Sequence, residues 1–95
     1  MSQYSIIKSP AKVMQELVTK TQQLRKQNGV SQLELAKRSG VSFGSIKRFE
    51  TTGQISLESL LKIGYFFNRL EDFTTVFKVN EDLKNVEKLF SDKTR

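Results

Sequence analysis

The 95-residue chain carries 16 Lys and Arg against 10 Asp and Glu, a formal net charge of +6, and has neither cysteine nor histidine. Its length suits one domain with a modest core. The missing residue types exclude disulfides, thiolate and histidine metal sites, and Ser-His or Cys-His catalysis, so the expectation is a cytoplasmic protein that is not an enzyme and needs no cofactor.

The basic excess is local. Residues 1–50 hold nine basic and three acidic side chains, whereas residues 51–95 hold seven of each. A basic face confined to one half of a chain is the electrostatic footprint of phosphate binding. No run is long and apolar enough to cross a bilayer.

In chain order, residues 1–8 (MSQYSIIK) do not read as a signal peptide. They form an N-terminal arm, either frayed, the default for a terminus, or packed on a partner subunit through Tyr4, Ile6 and Ile7. Ser9 caps a first helix with Pro10 at its first position. That helix is expected to run to about residue 28, with Val13, Leu17 and Leu24 on one face and Gly29 ending it.

Residues 31–50, SQLELAKRSGVSFGSIKRFE, are the centre of the chain. Ser31 and Glu34 have the spacing of a capping box, in which each side chain satisfies a backbone amide of the other residue. A helix follows from Gln32 to Ser39 with Leu35 and Ala36 apolar, and Gly40 supplies the left-handed position that stops it. After Val41, Ser42 caps a second short helix that runs to about Glu50, with Ile46 and Phe49 on one face. Two short helices joined by a tight glycine turn make a helix-turn-helix, whose second helix can lie in the major groove of DNA. Ala36 is small where the two helices approach, and Gly40 follows four residues later. An ordinary helical hairpin needs neither.

TTGQI then reads as a loop turning at Gly53. Ser56 caps a helix over about 57–68 in which Leu57, Leu60, Leu61, Ile63, Phe66 and Phe67 are apolar over more than one face, so part of that surface is expected to meet something. Gly64 inside it costs about 1 kcal/mol relative to alanine, through a close helix contact or through simple tolerance. A further helix within 70–77 places Leu70, Phe73, Val76 and Phe77 at helical spacing. Asn80 caps a tail helix to about residue 90, with Leu83, Val86 and Phe90 in a stripe. The fold class expected is all-α, a compact domain of five to six helices with its core over 9–77, an arm over 1–8, and a tail helix and frayed end over 80–95.

About residues 20–70 resemble the XRE or lambda-repressor-like (Cro/CI-type) helix-turn-helix regulators. LRKQNGVSQLELAKRSGVS, IKRFE and SLESLLKI supply the arginine before the motif, the SQ-x-x-LA and SGVS segments, the isoleucine, and the acidic residue that closes the second helix. The resemblance implies that Arg25 reaches Glu50 in a charge-assisted pair fixing how that helix leaves the body; the alternative is a solvated Arg25 of little effect. It also implies DNA contacts from Ser42, Phe43, Gly44, Lys47 and Arg48. Lys47 and Arg48 suit either guanine O6/N7 or phosphate, and Ser42 either touches DNA or is used up as a cap. Phe43 departs from the polar residue usual there and either meets a thymine methyl or folds back onto the protein. Gly44 offers no side chain, so some specificity is expected to come from DNA shape.

Gln32, at a helix start, is placed to hold a phosphate, and Lys37 and Arg38 to touch phosphate as well. Leu33 is a second departure, an apolar group on an outer face. One such domain makes few base contacts, so a homodimer on a palindromic operator is expected, with Tyr65, Phe66 and Phe67 in the dimer contact. The SP start and RFETTGQISLESLL further resemble a HipB-like antitoxin, which implies self-repression of its operon and a HipA-type kinase toxin as partner. A protein-interaction module of the same fold without specific DNA binding is the alternative.

Overall fold

Four serines set the starts of four helices. Ser9, Ser31, Ser42 and Ser56 each accept a hydrogen bond from the backbone N–H three residues on, at 3.0–3.2 Å. Such a cap satisfies one of the amides a helix start leaves free and is worth about 1 kcal/mol. The computed structural model describes residues 8–79, so residues 1–7 of the arm expected over 1–8, and the tail helix and frayed end expected over 80–95, lie outside the described residues. In order, the helices are α1 (Pro10–Gln27), α2 (Gln32–Ser39), α3 (Phe43–Thr52), α4 (Leu57–Phe66) and α5 (Glu71–Thr74), with no strand among the described residues. The fold is all-α. The capping box is only half made: Ser31 Oγ accepts from Glu34 N–H, but the Glu34 carboxylate turns to Arg38 one turn on, at 3.3 Å.

Helix ends follow from backbone geometry. α4 stops at Phe66, two residues short of the expected end, because Asn68 takes a left-handed φ of 61°. Asn68 N–H then bonds Tyr65 O at 3.0 Å and Arg69 N–H bonds Gly64 O at 2.7 Å, which closes the exposed carbonyls. α3 runs two residues beyond Glu50. In this last turn Thr51 and Thr52 donate their hydroxyls to Lys47 O and Arg48 O, each at 2.8 Å. Gly53 then ends α3 at φ 83°, where a side chain would be strained and a Cβ would sit 3.1 Å from Met14 Cβ of α1.

α2 packs on α3 and α4, and α1 packs on α3. Val30, Leu35, Ala36, Val41, Ile46 and Ile63 form the central cluster, with Ile55, Phe66 and Phe67 packed against it. Leu35 and Ile46 are completely buried, each burial stabilising by about 1.5–3 kcal/mol. On α1 the buried positions are Val18 and Thr21, with Met14, Leu17 and Leu24 half-buried, while Val13 is exposed. The inward stripe is therefore 14, 17, 18, 21 and 24, which includes the expected Leu17 and Leu24 but not Val13. A polar residue hides part of that stripe from a hydrophobicity pattern; Thr21 is tolerated inside because its hydroxyl donates to Leu17 O at 2.8 Å.

The helix expected within 70–77 is present as α5, a single turn over Glu71–Thr74, and the chain leaves it before Phe77, which is 95% exposed at φ 59°. Thr74, Thr75 and Val76 are β-branched and favour helix weakly, and the two threonines bond back to Glu71 O and Asp72 O instead. Phe73 does pack. A Cβ on Gly64 would lie 2.8 Å from the Phe73 ring, so the glycine in α4 accommodates a close contact with α5.

Candidate nucleic-acid interface

The carboxylate of Glu50, near the end of α3, is the anchor of the site. Its side chain is 4% exposed. Arg25 donates to it through Nε at 2.9 Å and through a terminal nitrogen at 3.0 Å, while the other terminal nitrogen reaches Val30 O at 3.2 Å. Gln32 Nε2 adds a bond at 2.7 Å and Gln22 Nε2 one at 3.4 Å. Burial pushes the Glu50 pKa up, but the bonds from Arg25 and Gln32 and the Arg25 charge outweigh it and hold the carboxyl below its ordinary value. One buried charge thus joins α1, the start of α2 and the end of α3.

With Ile46 and Phe49 inward, the opposite side of α3 is open. Gly44, Lys47, Arg48 and Thr51 are exposed on it, and Phe43 is 40% exposed at its first position. Lys47 Nζ lies 5.1 Å from the centre of the Phe43 ring, a cation–π contact worth about 0.5–1 kcal/mol at an exposed site. Phe43 has therefore not folded into the core. Ser42 spends its hydroxyl as the cap, accepting from Ser45 N–H at 3.1 Å and donating to Ser45 Oγ at 2.8 Å. Arg48 donates to Gln54 in the loop after α3.

The remaining residues singled out in the sequence separate. Lys37 is exposed on α2. Arg38 is turned to α4, its guanidinium 4.9 Å from the Phe66 ring centre and 3.3 Å from Glu34, so the side chain expected on phosphate is engaged on another face. Gln32 likewise gives its amide to Glu50 rather than leaving it free. Leu33 is 48% exposed. Of the three aromatics, Phe66 and Phe67 pack against the core, edge to face with ring centres 4.9 Å apart, while Tyr65 is 75% exposed.

Gln22, Thr51 and Gln54 join the site beyond the residues that the sequence singles out. Thr51 is legible in the spacing, one turn after Lys47. Gln22 and Gln54 have no sequence signal, since each is defined by a partner 28 or 6 residues away. Among the described residues no three metal-ligating side chains gather, and no helix is long and apolar enough to cross a membrane.

Two searches, of curated proteins and of solved structures, found no match. The helix-turn-helix family pattern does match, over residues 22–69, from the glutamine that touches Glu50 to the residue that closes α4. That span contains α2, α3, α4 and all four side chains of the anchor, Gln22, Arg25, Gln32 and Glu50. The chain belongs to the helix-turn-helix family of XRE or lambda-repressor-like type, a DNA-binding family.

Proposed function

We propose that the protein is a sequence-specific transcriptional repressor that binds a palindromic operator as a homodimer, with α3 in the major groove. The observation that supports this is the two-sidedness of α3. Its inner side is held by Ile46, Phe49 and the Glu50 anchor, while its outer side offers Lys47, Arg48 and a bare backbone at Gly44. A helix so held meets a duplex without rearrangement. Lys47 and Arg48 serve guanine or phosphate, and Lys37 adds phosphate contact from α2.

The dimer contact is assigned to the outer side of α4. Leu57 (68% exposed) and Tyr65, with Leu61 and Leu70, line an apolar hollow of about 490 Å³. Phe66 and Phe67 serve their own core, so Tyr65 is the aromatic left for a partner. A two-fold axis counts each such burial twice, at about 1.5–3 kcal/mol per aromatic.

Duplexes enriched by the wild type from a random pool provide the test. Arg48→Ala is expected to weaken binding to the enriched site by about 1–3 kcal/mol with the fold intact, and equal affinity would remove α3 from the groove. Tyr65→Glu is expected to sediment as a monomer; a wild type already monomeric at tens of micromolar would remove the dimer. The resemblance of the SP start and RFETTGQISLESLL supports a second, narrower reading, a HipB-like antitoxin partnered by a HipA-type kinase toxin. A neighbouring reading frame encoding a kinase-like protein that co-purifies with this chain would test it.

A further inference from the structure

We propose that Phe43 determines base specificity by seating its ring against the 5-methyl group of a thymine in the major groove. The inference rests on the reading of α3 as the helix that enters the groove. The first turn of such a helix is the part that contacts base edges, so its chemistry decides what can be read. That turn has little hydrogen-bonding capacity left. The Ser42 hydroxyl both accepts from and donates to Ser45, and Gly44 has no side chain. What remains is an exposed aromatic ring with the Lys47 ammonium over it at 5.1 Å. The cation holds the ring in place without covering all of it.

Gly44 points the same way. An exposed glycine within a helix is unfavourable relative to alanine, and a Cβ added here would meet nothing within 4 Å. No contact among the described residues accounts for it. A surface approaching α3 closely from outside does, and that approach brings the neighbouring Phe43 ring to the groove floor. Of the groups that base pairs display in the major groove, the thymine methyl is the apolar one. A ring without donors or acceptors discriminates through it and through nothing else there.

The probe is the duplex that the wild type enriches from a random pool, resynthesised with deoxyuridine replacing each thymine in turn, which deletes one methyl and leaves the base pairing intact. At one thymine in each half-site the wild type is expected to lose about fourfold in affinity, the worth of burying one methyl-sized group. Phe43→Ala is expected to bind the thymine and uracil duplexes equally, and Phe43→Leu, which keeps an apolar group, to retain part of the preference. Both variants are exposed-site changes whose folding is checked by circular dichroism. A wild type indifferent to uracil at every thymine overturns the proposal and leaves the groove reading standing. So does an equal loss for wild type and Phe43→Ala. If the wild type enriches no duplex, the groove reading falls and this inference falls with it.

Discussion

Removing the Arg25 side chain is the sharpest test of what orients α3. In the wild type the Glu50 carboxylate is 4% exposed and Arg25 15% exposed, joined by two bonds of 2.9 and 3.0 Å. Arg25→Ala strands a buried carboxylate with only the Gln32 and Gln22 amides for donors. Deleting one partner of a buried ion pair costs about 3–5 kcal/mol; with the two amides still in place, the lower end, about 3 kcal/mol, is expected. Glu50→Ala strands the guanidinium instead, which keeps its bond to Val30 O and some water, so it is expected to cost slightly less. Because the two residues act on each other, the double variant is expected to fall short of the sum by about 2 kcal/mol, inside the range for contacting residues. Glu58 and Lys62 are the internal control. They lie 3.7 Å apart with side chains 81% and 48% exposed, and their coupling is expected below about 0.5 kcal/mol. Urea unfolding followed by circular dichroism measures all of these, provided the slope is unchanged across the variants. Additive losses, or a coupling no larger than that of the control pair, would refute the idea that a buried charge fixes this helix.

Two further outcomes follow from the geometry. Because the Glu50 pKa is held below its ordinary value in the folded chain, the unfolded chain binds more protons between that value and about 4.3. Stability therefore rises with pH through this window, is complete above the unfolded pKa and is lost as pH falls through the folded one. Below about pH 5, Glu50→Gln is expected to give a flatter stability curve than the wild type, and superimposable curves would show that the carboxylate carries no such linkage. Gly64→Ala sets a helix gain of about 1 kcal/mol against a Cβ 2.8 Å from the Phe73 ring. Overpacking of this kind costs about 1–3 kcal/mol, so net destabilisation is expected, turning to stabilisation in a Phe73→Ala background. The same sign in both backgrounds would mean that the α4–α5 contact is not what the glycine serves.

How far the residues alone disclose this structure depends on how local the signal is. The serine caps, Gly40 at the turn and the inward pair Ile46 and Phe49 are set by neighbours within four residues, and all are legible from spacing. The stripe of α1 is legible in part: Leu17 and Leu24 lie on it as spacing predicts, whereas Thr21 is polar by composition and accommodated inside through its bond to Leu17 O. The helix within 70–77 is legible as α5, but its length of a single turn is not. Leu70, Phe73, Val76 and Phe77 have helical spacing, but spacing records which residues would share a face, not whether β-branched residues will hold a helix at all. Side-chain direction was the least accessible. Lys37 and Arg38 are adjacent cations in the sequence, yet Arg38 stacks on Phe66 of α4, a contact that exists only once α2 and α4 have packed. The same holds for Gln32, whose short path to Glu50 is created by the turn between α2 and α3.

The position of the anchor along α3 also fixes how the site fails. Phe43 and Glu50 are seven residues apart, about 10 Å along a helix. A tilt of about 10° pivoting near Glu50 would move Phe43 by about 2 Å, against a tolerance of about 0.5 Å for a positioned contact. In the proposed docking, phosphate contacts from Lys47 and Arg48 would bend with such a tilt, because long side chains follow a charge, whereas a ring set against one methyl would not. Loosening Arg25 is therefore expected to cost base reading before it costs attraction to DNA. The element responsible is α1, whose Arg25 and Gln22 hold Glu50 and whose Met14 lies against Gly53 at the end of α3. Under the proposed function, a helix assigned no contact with the duplex thereby sets the angle at which the duplex would be read.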